Sequence, residues 1–253
     1  MNGVEAYATA AQVYAAGLVF ARIGAMVMLV PGLGDASVPP RIRLSFALLM
    51  SLVLTPLVAH NLVVPATLGA GAGALIRETL VGLMMGSILR LFLASLSTAG
   101  EVVSIQTTLG FAQTANPTQA APSTTISTFL ALIGTVLVMT TDLHHLFFGA
   151  MVNSYKLFPF GHAIMVGDAG TLAVQTVAGS FALGIQLAAP VIVFSIVFNI
   201  AAGLVGRAMP QFQIFFVATP LSVMLGLSIF ALSLGMIGMV WTSRYRELLE
   251  VFS

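Results

Sequence analysis

The chain has 253 residues, of which 58% are hydrophobic and only 7% are charged, and its net charge at pH 7 is +1. Soluble domains carry roughly 25% charged residues, because charges must cover the surface of the core. The composition therefore argues against a soluble fold, and the low net charge gives no indication of nucleic acid as a partner. Cysteine is absent, which excludes disulfides and thiolate chemistry.

Long apolar stretches recur along the whole chain and predict membrane-spanning helices. Six blocks follow one another, at 12–34, 44–64, 68–97, 126–152, 171–206 and 212–241. About 20 apolar residues cross a bilayer as a helix, and a backbone exposed to lipid must satisfy its own hydrogen bonds. We therefore predict an all-α polytopic membrane protein of long kinked helices or helical hairpins. It is expected to form a single domain over 1–253, with a short tail at 242–253.

Glycine is abundant, and Gly82 and Gly86 lie four residues apart in the third block. Small residues at this spacing let helices approach closely in lipid. We expect these two glycines to serve helix packing within the chain.

The fifth block is too long for one crossing and contains Pro190 near its middle. Proline removes a backbone donor and clashes with the preceding turn, so a break is expected there. That break makes the number of crossings odd. The distribution of arginine and lysine then favours an N-terminus outside the cell membrane and a C-terminus in the cytosol.

Seven charged residues interrupt or border the apolar blocks: Arg22, Arg77, Glu78, Arg90, Glu101, Asp142 and Arg207. An unpaired charge in hydrocarbon costs at least ~2.5–3.5 kcal/mol. None of them has an opposite charge three or four residues away, so partners must come from other helices, other subunits or water. Two interpretations stay open: ion pairs or snorkelling within the chain, and contacts with other subunits or a hydrated conduit.

The polar group Asp142, His144 and His145 superficially resembles a metal site. Zinc sites usually need three or four converging ligands, and adjacent histidines are expected to diverge on a helix. We therefore expect no metal here, but a polar patch at the end of the fourth block. No nucleophile–base pair and no phosphate-binding loop is evident, so neither an enzymatic activity nor a cofactor is expected.

The segment 104–128 is polar but carries no charge. Irregular backbone at membrane depth is tolerated only where it is buried in protein or lines an aqueous cavity. The segment is therefore either an ordinary connection or a lining or plug of a pore. The candidate plug residues are Gln106, Leu109, Gly110, Phe111, Ala112, Gln113, Asn116 and Pro117.

Four groups of residues, spread over roughly residues 20–240, resemble landmarks of one family: Phe20-Ala21-Arg22-Ile23-Gly24 with Pro39-Pro40-Arg41, Gly100-Glu101 with Gly110-Phe111-Ala112 and Asn116-Pro117, Asp142-Leu143-His144-His145, and Asn199 with Gly203-Leu204 and Arg207. The chain thereby resembles the FliR family of flagellar type III export gate proteins. A sister family serves virulence-associated injectisomes and often has a lysine soon after the last proline. Here Pro220 is followed by Leu221-Ser222, which favours the flagellar branch.

The resemblance implies a non-enzymatic subunit of the flagellar export gate, in the inner membrane of the basal body. It implies assembly with FliP, FliQ and FlhB, cooperation with FlhA, and passage of unfolded flagellar export substrates. In the family the central loop helps to plug the closed channel. The alternative from a different class is a stand-alone small-molecule or ion transporter, whose binding site would use the broken helix around Pro190 and the buried charges.

Overall fold

The computed structural model describes residues 10–35, 37–58, 62, 64–65, 67–110, 124–161, 166–211 and 213–250. Within these residues the chain forms seven helices and no strand. They are α1 (Ala10–Leu29), α2 (Pro40–Val58), α3 (Leu68–Gln106), α4 (Thr125–Thr140), α5 (Leu143–Leu157), α6 (Val166–Ala208) and α7 (Ile214–Glu250). The prediction of an all-α protein is confirmed.

Five of these helices, α1, α2, α3, α6 and α7, are long and apolar enough to cross a membrane. The pair α4 and α5 would add a sixth crossing if the two together formed one bent span. Many large apolar side chains of α6 and α7 are exposed, among them Ile200, Leu204, Leu232 and Met236. Apolar surface of this extent needs lipid or another protein to cover it, which confirms a polytopic membrane protein.

The chain divides into two compact units, each with its own interior. The first comprises Met1–Phe92, Asp142–Val177 and Glu247–Ser253, and the second comprises Leu93–Thr141 and Ala178–Arg246. The organisation as a single domain over 1–253 stays a prediction.

In the first unit, α3 packs closely against α1. A side chain at Gly82 would collide with the backbone of Arg22, and one at Gly86 would meet Met26 at a distance that requires a shift. The facing part of α1 is fully buried, with Ile23 and Met26 both at 0% exposure. The expected packing role of the two glycines within the chain is therefore confirmed.

In the second unit, small residues again allow helices to approach. A side chain at Gly100 of α3 would collide with the backbone of Ser127 in α4, and one at Gly184 of α6 would meet the carbonyl of Ser95. Trp241 of α7 is fully buried, and its indole Nε1–H donates to Ser95 Oγ at 3.2 Å. The last third of α3 thus contacts parts of α4, α6 and α7.

The predicted break at Pro190 is wrong, because α6 runs through this proline as one helix of 43 residues. Proline leaves one carbonyl of the preceding turn without its intrahelical donor. A full break would expose several backbone groups, and hydrocarbon penalises each of them by several kcal/mol. Continuity of the helix is the less costly arrangement.

The fourth block is not one helix, since α4 ends at Thr140 and α5 begins at Leu143. Asp142 between them has φ 58°, a left-handed conformation that aspartate tolerates better than most residues. The patch around Asp142 therefore lies at a helix break inside the block, and its predicted position at the end of the block is wrong.

Helices α3 and α7 both extend further than the apolar blocks predict. Helix α3 continues through Gln106 and α4 begins at Thr125, so residues 104–106 and 125–128 of the segment 104–128 are helical. Helix α7 continues to Glu250, with Tyr245 and Leu249 buried. Residues 242–250 of the predicted tail therefore belong to this helix, because apolar side chains on one face keep packing beyond Arg244, and the assignment of 242–253 as a tail stays a prediction.

Candidate functional site

The two ends of the central segment are held by hydrogen bonds that involve α3. The backbone N–H of Thr124 donates to Glu101 Oε1 at 2.9 Å. Thr124 is also the N-cap of α4, and its hydroxyl accepts from the N–H of Ser127 at 3.2 Å. The Glu101 carboxylate thus lies at the N-terminus of α4, where a negative charge is favoured by the helix dipole. One side chain of α3 therefore fixes the point at which the segment returns to helix.

The other end of the segment is tied to α6. The hydroxyl of Ser195 donates to Gln106 Oε1 at 2.8 Å, and Asn199 Nδ2 donates to Ser195 Oγ at 3.2 Å. Ser195 is buried, Gln106 is half-buried and Asn199 is exposed, so this short chain of hydrogen bonds runs from the interior to the surface. Gln106 is the last residue of α3, and this bond therefore positions the start of the segment.

The chain turns sharply immediately after α3. Thr108 has φ 61°, which is rare for a β-branched residue and costs roughly 1–3 kcal/mol. The N–H of Gly110 folds back to the carbonyl of Ser104 at 3.0 Å. Thr107 is buried against Gly226 of α7, and a side chain added at Gly226 would collide with it.

Four residues hold the two ends of the segment in place: Glu101, Gln106, Thr124 and Ser195. We refer to these four residues as the loop base.

The structure describes only three of the predicted plug residues. Gln106 belongs to the loop base, and Leu109 and Gly110 are half-buried in the turn that follows. Phe111, Ala112, Gln113, Asn116 and Pro117 lie outside the described residues. A plug role for the segment stays a prediction.

Two of the predicted charges form a buried cluster in the first unit. Arg22 Nε donates to Glu78 Oε2 at 2.6 Å, and neither side chain is more than 1% exposed. Arg22 also donates from Nη1 to the carbonyl of Ser154 at 2.9 Å and from Nη2 to that of Phe158 at 2.8 Å. Its guanidinium carbon lies 4.1 Å from the centre of the Tyr155 ring. The cluster therefore joins α1, α3 and the C-terminus of α5.

The interpretation that charges pair within the chain is confirmed for Arg22 and Glu78. Arg77 lies at the edge of the same cluster, with Nη2 3.4 Å from Glu78 Oε1. Arg90, Asp142 and Arg207 are exposed instead. Their side chains face lipid, water or partner proteins, and the structure does not bring them into one site.

The donors of Asp142, His144 and His145 all lie within 4.8 Å of one another. The two histidine ring centres are 4.3 Å apart, so the expectation that adjacent histidines diverge is wrong here. At the start of α5, a ring nitrogen of each histidine lies within 4.8 Å of a carboxylate oxygen of Asp142. Two imidazoles and a carboxylate are a donor set that could hold a transition-metal ion. The geometric argument against a metal therefore does not apply.

Sequence reasoning missed the partners in the loop base. Ser195 and Asn199 are four residues apart within an apolar helix, and such a polar pair on one face is a recognisable signal. Thr124 with Ser127 is an N-cap pattern that marks the start of α4. The carbonyls of Ser154 and Phe158 carry no sequence signal, because any residue type would present them.

Comparisons with known proteins agree with the family resemblance that the sequence shows. Residues 13–248 match the family described as "Bacterial export proteins, family 1". The "Flagellar biosynthetic protein FliR" of Caulobacter vibrioides is 64% identical over 251 residues, which are 99% of this chain and 100% of that protein. The protein of the same name from Aquifex aeolicus is 30% identical over 93% of this chain and 91% of its own length. Its namesake from Escherichia coli is 27% identical over 83% of this chain and 80% of that protein.

Proposed function

The chain belongs to the bacterial export proteins, family 1, and within them to the FliR family of flagellar biosynthesis, and on this premise we propose that it is a non-enzymatic subunit of the flagellar type III export gate. It would lie in the inner membrane at the flagellar basal body. There it would assemble with FliP and FliQ, and with FlhB and FlhA, around a channel for unfolded flagellar export substrates. In this role its central segment contributes to the closed plug.

The loop base is the observation that carries the plug assignment. Glu101 holds the return of the segment into α4, and Gln106 holds its departure from α3. A segment fixed at both ends can occupy one position in a closed channel. A passing polypeptide needs to displace only the part between these two anchors. The anchors are therefore suited to a reversible obstruction.

The composition of the segment fits an export path. Apolar side chains such as Leu109 and Phe111 can exclude water and ions from a narrow constriction by dewetting. Fixed charges in the path would hold some unfolded substrates and repel others, and residues 104–128 have none. Gln113 and Asn116 supply uncharged hydrogen-bonding groups along the same stretch.

The outer surfaces of α6 and α7 support assembly with other subunits. Large apolar residues such as Ile200 and Leu232 are at least 60% exposed in the isolated chain. Lipid can cover part of such a surface, and hydrophobic helices of partner subunits can cover the rest. We therefore propose that FliP and FliQ pack against these helices.

Co-expression tests this assignment directly. The chain expressed alone should be polydisperse in detergent, whereas co-expression with FliP and FliQ should give one monodisperse complex that contains it. A monodisperse chain that ignores both partners would contradict the gate assignment. The rival transporter interpretation loses one of its two supports, because α6 is not broken at Pro190, whereas the buried charges Arg22 and Glu78 remain.

The orientation can be argued from the five long helices. If α1, α2, α3, α6 and α7 each cross once, the number of crossings is odd without any break at Pro190. Four arginines then share the side of the C-terminus: Arg41, Arg43, Arg244 and Arg246. Because positive loops remain inside, we propose a periplasmic N-terminus and a cytoplasmic C-terminus.

A further inference from the structure

Three side chains with metal-binding donor atoms lie together at the start of α5, in the first unit. Asp142 precedes the helix, and His144 and His145 belong to its first turn. One donor atom of each residue lies within 4.8 Å of the other two. Imidazole and carboxylate groups together are ligands that suit divalent transition metals. Because the three residues lie within four consecutive positions, binding an ion closes only short loops and costs little chain entropy.

The Asp142 carboxylate is not used to cap the helix that it precedes. An aspartate at this position usually accepts a hydrogen bond from a backbone N–H of the first turn, and its own backbone is then extended. Asp142 instead has φ 58° and ψ 16°, and its side chain makes no capping hydrogen bond. The side chain is exposed, so its oxygens can bind a ligand that arrives from outside the fold.

The ring of His144 has a nitrogen without a partner. Its Nδ1 is buried, and no hydrogen bond within the described part of the chain reaches it. Buried polar atoms are rarely unpaired in folded proteins, and an unmodified orphan often marks the place of an ion or a water. The ring is held by packing, since it lies edge-on to Phe148 with 6.3 Å between the ring centres. Phe148 in turn lies 6.2 Å from the ring of Phe46 in α2. The unpaired nitrogen therefore belongs to a positioned ring.

His145 completes the group and leaves it open to the exterior. Its ring centre is 4.3 Å from that of His144, and its side chain is exposed. Ligands of a tetrahedral zinc ion lie about 3.3 Å apart, because each is ~2.0–2.1 Å from the metal. Exposed side chains change rotamer readily. Small movements of Asp142 and His145 can therefore bring the three donors from within 4.8 Å to this spacing.

We propose that Asp142, His144 and His145 bind a divalent transition-metal ion of the Zn²⁺ type. Three protein ligands leave the fourth tetrahedral position to water. The ion fixes the start of α5, because it links the residue before the helix to two side chains of the first turn. The inference does not depend on the proposed gate function, since all three ligands belong to one short stretch of this chain.

The test measures zinc binding to the full-length chain in detergent, with any subunits that co-purify. The protein is purified without a histidine tag, freed of metal with a chelator and titrated with Zn²⁺ by isothermal titration calorimetry in excess Mg²⁺. We expect one Zn²⁺ per chain at the site, with a micromolar or tighter Kd. Mg²⁺ should not compete, because it prefers oxygen ligands and retains its water molecules.

Two variants each remove one ligand and preserve the fold. Asp142→Asn keeps a residue that tolerates the left-handed backbone, and His145→Ala removes an exposed ring. Each should weaken zinc binding at least roughly tenfold, since even the loss of a group that only supports a metal ligand has this effect. The control Asp35→Asn replaces a carboxylate outside the group, and its amide oxygen can still accept from the N–H of Gly32. Zinc binding to this control should be unchanged.

The unfolding temperatures of the variants without metal should match that of the unaltered chain. Zinc binding that both ligand variants weaken and the control retains supports the site. Absence of micromolar zinc binding to the unaltered chain would overturn the proposal. So would binding that either ligand variant retains in full, or binding that excess Mg²⁺ displaces.

Discussion

Arg22 of α1 and Glu78 of α3 form an ion pair in the interior of the first unit, with 2.6 Å between Nε and Oε2. The guanidinium group also binds the carbonyls of Ser154 and Phe158 at the end of α5. The carbonyl of Ser154 also accepts from the N–H of Phe158, whereas the carbonyl of Phe158 lies beyond the last turn, where intrahelical donors run out. One arginine therefore neutralises a buried carboxylate and caps a helix at the same time.

Removing this arginine should destabilise the protein strongly. Arg22→Ala leaves the Glu78 carboxylate buried without its closest partner, and such a loss typically costs about 3–5 kcal/mol. We expect a markedly lower recovery of the co-purified complex and a lower unfolding temperature in detergent. Arg246→Ala is the matched control, because Arg246 is exposed. Equal recovery of the two variants would show that the ion pair contributes little.

The contact of Gly82 with α1 should tolerate no side chain. Gly82→Ala places a methyl group against the backbone carbonyl of Arg22, and overpacking of this kind costs about 1–3 kcal/mol. The control is Gly69→Ala in the same helix, where the added methyl meets nothing within 4 Å. That change should be neutral or stabilising by up to about 1 kcal/mol, since alanine favours helix. An unfolding temperature that falls equally for both would contradict close packing at Gly82.

Glu101 should be replaceable by glutamine but not by alanine. Glu101→Gln keeps an oxygen that accepts from the N–H of Thr124, whereas Glu101→Ala leaves this donor of α4 without it. We expect ion leakage through the assembled complex to rise for the alanine variant and to rise much less for the glutamine variant. Membrane conductance in cells, compared at equal complex abundance, measures this. Identical leakage for both would mean that the charge itself, and not the hydrogen bond, is what matters at Glu101.

The orientation predicts opposite locations for the two chain ends. A reporter that is active only in the cytosol should work when fused after Ser253 and fail when fused before Val4. A periplasmic reporter should give the reverse pattern. Both ends on one side would require an even number of crossings, with α4 and α5 together as a sixth span.

Some elements of the fold can be predicted from the sequence, and others cannot. The apolar blocks locate every long helix, because hydrocarbon leaves the backbone no other way to satisfy its hydrogen bonds. The glycine pair Gly82 and Gly86 predicts close packing, since absent side chains are visible in the sequence. The outcome at Pro190 was not predictable from the residue alone. It depends on whether the loss of one hydrogen bond costs less free energy than a full break in the helix.

The candidate site was predictable in its location but not in its contacts. The uncharged segment 104–128 stands out in a chain of apolar blocks, and the charge of Glu101 marks its approach. The partners of Glu101 and Gln106 are a backbone N–H and a serine hydroxyl from α6. Such pairs depend on how helices approach each other, which neither periodicity nor spacing specifies. Similarly, His144 and His145 lie close together beside the helix break at Asp142, and the apolar pattern gives no indication of this break.

The segment between α3 and α4 is proposed to obstruct the closed channel. Its most direct test deletes Gly110 and Phe111, which leaves Glu101, Gln106, Thr124 and Ser195 in place. The co-purified complex with FliP and FliQ shows whether assembly survives, and small-ion permeability of cells that contain it is then measured. We expect an assembled complex with raised ion permeability. Normal permeability in a fully assembled deletion variant would contradict the plug and leave the segment a simple connection.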